Sequence, residues 1–133
     1  MDDGASLSGQ MDTLDFYINN ETELGLFYFE IMDYPDILNS LNILTTERTS
    51  GWALEIADQG DGTIAITGIS VGTSLGAGDG PVCRAVISPV TDEDVTVNLS
   101  YTTGTSLQDV GNVDLNWTAE AATYGVGCRT HSP

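Results

Sequence analysis

Leu26-Phe27-Tyr28-Phe29-Glu30-Ile31 runs into Asp33-Tyr34-Pro35-Asp36-Ile37-Leu38, and the fold turns on this stretch. Its first half is apolar on both alternating sets of positions. A strand covered on both faces reads that way, whereas a half-exposed strand alternates. Pro35 has no N–H to give to a ladder, so the strand must stop near Tyr34. Ile37 and Leu38 then open the next element. The segment predicts a central strand over about residues 24–33 that ends in a proline turn.

Outward from this strand, short alternating runs recur about every ten residues, with Gly, Asp and Asn between them. Leu14, Phe16 and Ile18 alternate against Thr13, Asp15 and Tyr17. Leu41 and Ile43 open a strand, and Trp52, Leu54 and Ile56 mark another. Asp58-Gln59-Gly60-Asp61-Gly62 is a turn, since Asp-Gly suits positive φ, and Ile64 and Ile66 follow it. Gly72, Gly76, Gly78 and Gly80 punctuate a loop closed by Pro81. Val95, Val97, Leu99 and Tyr101 form a clean amphipathic strand; Val113, Leu115 and Trp117 form another, and residues 123–128 the last. No segment keeps a 3.6-residue period, and no linker or repeat divides the chain. The pattern is that of one all-β sandwich domain over 1–133.

Composition narrows the function. The chain has 133 residues, 41% of them hydrophobic, enough for one packed core. Twenty acidic residues against three Arg and no Lys give a net charge of −17. Such a surface repels nucleic acid and anionic lipid. It fits an extracellular, marine or high-salt setting, or solubility alone. No apolar run approaches the ~20 residues of a membrane helix, and the acidic start Met1-Asp2-Asp3-Gly4 lacks the basic residues of a signal peptide.

Catalytic signals are poor. His131, the only histidine, lies next to the end of the sequence and is badly placed for a triad. The acid pairs Asp92 with Asp94 and Asp58 with Asp61 lie in turns, where solvated charge is the usual explanation. No cofactor is implied. Calcium stays open as a ligand, because Asp58-x-x-Asp61-Gly62, Asp92-Glu93-Asp94 and Asp33-x-x-Asp36 offer hard oxygens, none with EF-hand spacing. Cys83 and Cys128 both fall at apolar phase in strands, so a Cys83–Cys128 disulfide across the sandwich is expected, with two buried thiols as the alternative. Asn20, Asn98 and Asn116 open glycosylation sequons. Trp52 and Trp117 share phase with core residues, which leaves no aromatic strip for sugar stacking.

The run from Leu24-Gly25-Leu26 to Leu38 resembles the cohesin pattern of a strand, then Tyr-Asp-Pro, then an apolar pair; here the order is Asp33-Tyr34-Pro35-Asp36. Thr49-Ser50-Gly51-Trp52, Gly62-Thr63-Ile64-Ala65-Ile66 and Gly78-Asp79-Gly80-Pro81-Val82 continue the resemblance in order. It covers about residues 8–128. The resemblance implies a jelly-roll sandwich of about eight or nine strands that binds a dockerin-type partner on a cell surface. Carbohydrate-binding modules and pilus-like domains have similar folds. The first strand of the family has only Met1 to Ser6 available here, too few and too polar for a full strand. Its absence would open a groove between Leu14, Phe16, Ile18 and Tyr124, Val126. The expectation is then that residues 1–10, through Ala5, Leu7 and Met11, complete another copy of the chain. That would make the protein a non-catalytic, self-assembling subunit of an extracellular fibre. A dockerin receptor or a carbohydrate-binding module is the alternative.

Overall fold

A computed structural model describes residues 4–7, 9–34, 38–59, 62–89, 94–118 and 122–127. Among the described residues, eleven strands form two sheets. They are β1 (Gly4–Leu7), β2 (Asp12–Asn20), β3 (Leu24–Tyr34), β4 (Leu38–Thr45), β5 (Ala53–Asp58), β6 (Thr63–Ile69), β7 (Gly78–Pro89), β8 (Val95–Tyr101), β9 (Ser106–Asp109), β10 (Asp114–Leu115) and β11 (Ala122–Gly127). The larger sheet runs β1-β11-β8-β3-β6-β5, with β9 on β3 and β10 on β9. The smaller sheet is β2-β7-β4. One 3-10 turn, Glu47–Thr49, is the only helical element among the described residues. The fold is an all-β sandwich, as the short alternating runs require.

The central strand ends at Tyr34, as Pro35 dictates. Leu24, Phe27, Phe29 and Ile31 point inward and are buried. An aromatic row crosses the sandwich. Phe16 of β2 stacks on Phe29 at 5.8 Å between ring centroids, Phe29 on Phe27 at 4.8 Å, and Phe27 on Trp52 at 5.6 Å. Gly68 makes room for this row, because it faces Phe27 in the β3–β6 register and its missing side chain leaves space for the ring. Val82, Cys83, Ala85 and Ile87 supply the opposite wall from β7.

Arg48 and Thr49 fasten the turn to this wall. The Arg48 guanidinium donates to the backbone oxygens of Ile18 (2.5 Å), Gly80 (3.1 Å) and Gly76 (3.2 Å) and to Asn20 Oδ1 (2.5 Å). Buried Thr49 donates its hydroxyl to Val82 O at 2.7 Å. One planar cation thereby ties the end of β2 to the glycine-rich loop and the start of β7.

Three expectations change. The first strand is present: Gly4–Leu7 pairs in parallel with Tyr124–Gly127 of the same chain. Four residues suffice because β11 is already held on its other side by β8. Tyr124 and Val126 therefore border no open slot, since their backbone is paired on both sides within one chain. Leu14, Phe16 and Ile18 do not project into an empty groove; they are 4%, 2% and 5% exposed in the core. Ala5 and Leu7 lie on the chain's own β1, and Met11, 73% exposed, precedes β2. What survives of the groove is local. β2 pairs with β7 alone among the described residues, and a cleft opens beside Ile18.

Candidate functional site: an uncovered sheet face

The outer face of β8-β3-β6-β5 brings exposed apolar, aromatic and acidic side chains into register. Alternation along β3 turns Tyr28, Glu30, Met32 and Tyr34 outward, opposite the buried set. Cross-strand register places Ala65 beside Glu30, Thr67 beside Tyr28 and Ile69 beside Leu26. On β5, Ala53, Glu55 and Ala57 face Ile69, Thr67 and Ala65. On β8, Ser100 lies opposite Met32 and Asn98 opposite Tyr34.

The face has two apolar ends and a low, polar middle. Met32 and Tyr34 are 43% and 73% exposed at one end, and Ile69 is 47% exposed at the other, with Val71 just beyond it. At strand rise, Leu26 and Met32 stand about 20 Å apart along β3. Between the ends lie Ala65, Thr67 and Ala57, so the surface is shallow. Glu30 is fixed in this middle. Thr102 donates to its Oε1 at 2.8 Å and the Tyr28 hydroxyl to its Oε2 at 3.2 Å. These four strands put Glu30 and Glu55 on the face and no basic side chain among their described residues. The chemistry suits a protein surface with apolar anchors and positive charge.

Other expected site residues scatter. Asp33, offered as a calcium ligand, is buried and turned inward, where its Oδ2 accepts the Leu38 N–H at 3.1 Å. It thus ties the end of β3 to the start of β4. Asp36, Asp61, Asp92 and Glu93 lie outside the described residues, as does His131. Asp58 ends β5 and Asp94 immediately precedes β8. Among the described residues no cluster of three potential metal ligands forms.

Cys83 is a buried free thiol whose pKa is pushed up by burial; Cys128 lies outside the described residues. Of the sequon residues, Asn20 is tied down, accepting from Arg48 and donating to Thr22 O and Gly76 O. Asn98 and Asn116 are exposed. A glycan on Asn98 would stand beside Tyr34, on the same face.

Trp52 is buried, as its phase predicts. Trp117 is not: β10 spans only Asp114–Leu115, Val113 is 58% exposed, and Trp117 is half-buried at the wall of the cleft beside β2.

No protein-family profile matches the chain, and no curated protein sequence matches it. Solved structures do. A non-cellulosomal cohesin from the hyperthermophilic archaeon Archaeoglobus fulgidus superposes with a TM-score of 0.72 at 15% identity, over 93% of this chain and 85% of that one. A cohesin from Acetivibrio cellulolyticus, solved in complex with a dockerin, gives 0.76 at 12% identity, over 95% of both chains. A cohesin module of a Clostridium perfringens family 33 glycoside hydrolase gives 0.73 at 11% identity, over 94% and 91%. With two sheets in this topology and such coverage, the chain has a cohesin-like fold.

Proposed function

We propose that this chain is a non-catalytic binding module, acting outside the cell or at its surface, that docks a dockerin-type protein on the outer face of β8-β3-β6-β5. The observation that carries this reading is the pair of apolar ends, Met32 with Tyr34 and Ile69, separated by a shallow middle containing Glu30. Several structures with this fold are complexes with dockerins, which supports the partner class. Self-assembly through the first strand has less support, because β1 fills its place within its own chain.

The test is calorimetric titration of the purified protein with dockerin modules encoded in the same genome, alongside Tyr34→Asp and Ile69→Asp. Both side chains are exposed, so both variants should stay folded. At least one dockerin should bind the parent protein, and each substitution should weaken binding by about tenfold or more, as loss of an interface anchor does. Absence of binding by every dockerin, or undiminished binding by both variants, refutes the reading. Electron micrographs showing fibres of the protein alone would restore the assembly reading.

A further inference from the structure

A cleft of about 780 Å³ opens beside the end of β2, at the margin between the sheets and away from the docking face. Four aromatic side chains border it: Tyr17 from β2, Phe29 from β3 at its floor, Tyr101 from β8 and Trp117 after β10. Asn19, Asp79 and Asn116 stand among them. We propose that this cleft is a second binding site, for a neutral oligosaccharide.

The size is that of a pocket for a ligand of a few sugar rings. Tyr101 is the fixed wall, buried on one side and held edge-on against Phe29 at 5.6 Å with an interplanar angle of 67°. Tyr17 is 39% exposed and Trp117 half-buried, so both keep ring surface open to a ligand. Aromatic rings offer flat apolar area with a polar edge, which matches the C–H face and hydroxyl rim of a pyranose. The amides of Asn19 and Asn116 both donate and accept, and the Asp79 carboxylate accepts, as sugar hydroxyls require.

The same residues exclude other ligands. No Arg borders the cleft among the described residues, and Asp79 with a net charge of −17 opposes an anion. A wholly apolar ligand would bury Asn19, Asn116 and Asp79 without partners. An extended peptide added to the edge of β2 is the rival occupant. Against it, the β2–β7 register shifts between Phe16 and Tyr17, where Tyr17 comes opposite Pro81. Such a bulge twists the edge and makes it a poor template for another strand.

The experiment is a titration of the isotope-labelled protein, followed by amide and indole NMR signals, with cellohexaose, xylohexaose, mannohexaose and chitohexaose, each to millimolar concentration. At least one should shift the Asn19, Thr105 and Trp117 signals saturably. Trp117→Ala and Tyr17→Ala should each weaken that binding about tenfold, with the β-sheet circular dichroism retained. Tyr34→Ala, on the docking face, should leave it unchanged. Should either aromatic variant fail to fold, the Asn116→Ala variant, altered on an exposed loop, takes its place with the same expected loss. Four sugars without effect, or shifts that persist in the variants, overturn the proposal. So does a peptide of residues 1–10 that moves the same signals when the sugars do not, which would assign the cleft to strand addition.

Discussion

Gly68→Ala is the most informative single change in the core. A β-carbon at residue 68 would stand 2.3 Å from Phe27 Cζ, 2.5 Å from Cε2 and 2.8 Å from Cε1. Carbon atoms prefer about 3.5–4.0 Å, so the ring must retreat by over ~1 Å. It has nowhere to go: Phe27 is fully buried between Phe29 at 4.8 Å and Trp52 at 5.6 Å. Overpacking of this kind costs about 1–3 kcal/mol. Alanine also restricts the unfolded chain, which offsets about 0.4–1 kcal/mol. The net loss should be about 1–2 kcal/mol, read from urea unfolding by circular dichroism and by tryptophan fluorescence. Because the clash is with one ring, Phe27→Leu should relieve it. The leucine variant alone should lose less than the ~3–5 kcal/mol of truncation to alanine. The double variant should be more stable than the sum of the single losses predicts by about 1 kcal/mol, within the range for residues in contact. Gly68→Ala at parent stability, or losses that add within ~0.5 kcal/mol, would show that the ring and the glycine do not depend on each other.

Two further outcomes follow from the polar and titratable groups of the interior. Arg48→Met should lose about 1–3 kcal/mol and speed hydrogen exchange of residues 76–80, because four hydrogen bonds to the guanidinium vanish together. Arg48→Lys should recover little of this, since an ammonium cannot reproduce the fork, and full recovery would contradict the clamp. Burial raises the pKa of both the Cys83 thiol and the Tyr101 phenol, so the native state keeps protons that the unfolded chain releases. Their contribution is intact below the unfolded values and declines above them. Stability should therefore fall by about 1.4 kcal/mol per pH unit beyond pH ~8.5, and more steeply beyond pH ~10. Cys83→Ala should remove the first slope and leave the second; an unchanged profile between about pH 9 and 10 refutes the assignment.

The parts legible in the sequence are those where one physical signal dominates. β3 declares itself by its apolar run and a proline stop, although the cover expected on both faces exists on one only, since Met32 and Tyr34 stand exposed on the other; β8 declares itself by strict alternation from Val95 to Tyr101. Trp52 is correctly placed by its phase with Leu54 and Ile56. β1 stays hidden because Gly-Ala-Ser-Leu has no strand signature of its own; it becomes a strand only because β11 offers a paired edge. Trp117 is misplaced because period-two phase holds only while the strand continues, and β10 stops at Leu115. The docking face is half-legible. Tyr28, Glu30, Met32 and Tyr34 alternate with the core residues, yet their alignment with Ala65, Ile69 and Ala57 is a matter of register between distant segments. Arg48 carries no local sign at all: its partners lie 28 to 32 residues away.

The pairing of β1 with β11 also has a mechanical meaning. The two strands run parallel, Gly4 beside Tyr124 and Leu7 beside Gly127. A pull on the chain toward its N-terminal end draws β1 backward, while a pull toward its C-terminal end draws β11 forward. Force applied through both ends therefore slides one strand along the other instead of peeling them apart. In that geometry the ladder's hydrogen bonds bear the load together, and rupture must break them at once. Peeled from one end, the same short ladder would open one bond at a time. Four residue pairs set side by side in this direction make the weakest-looking strand of the sandwich its tensile lock.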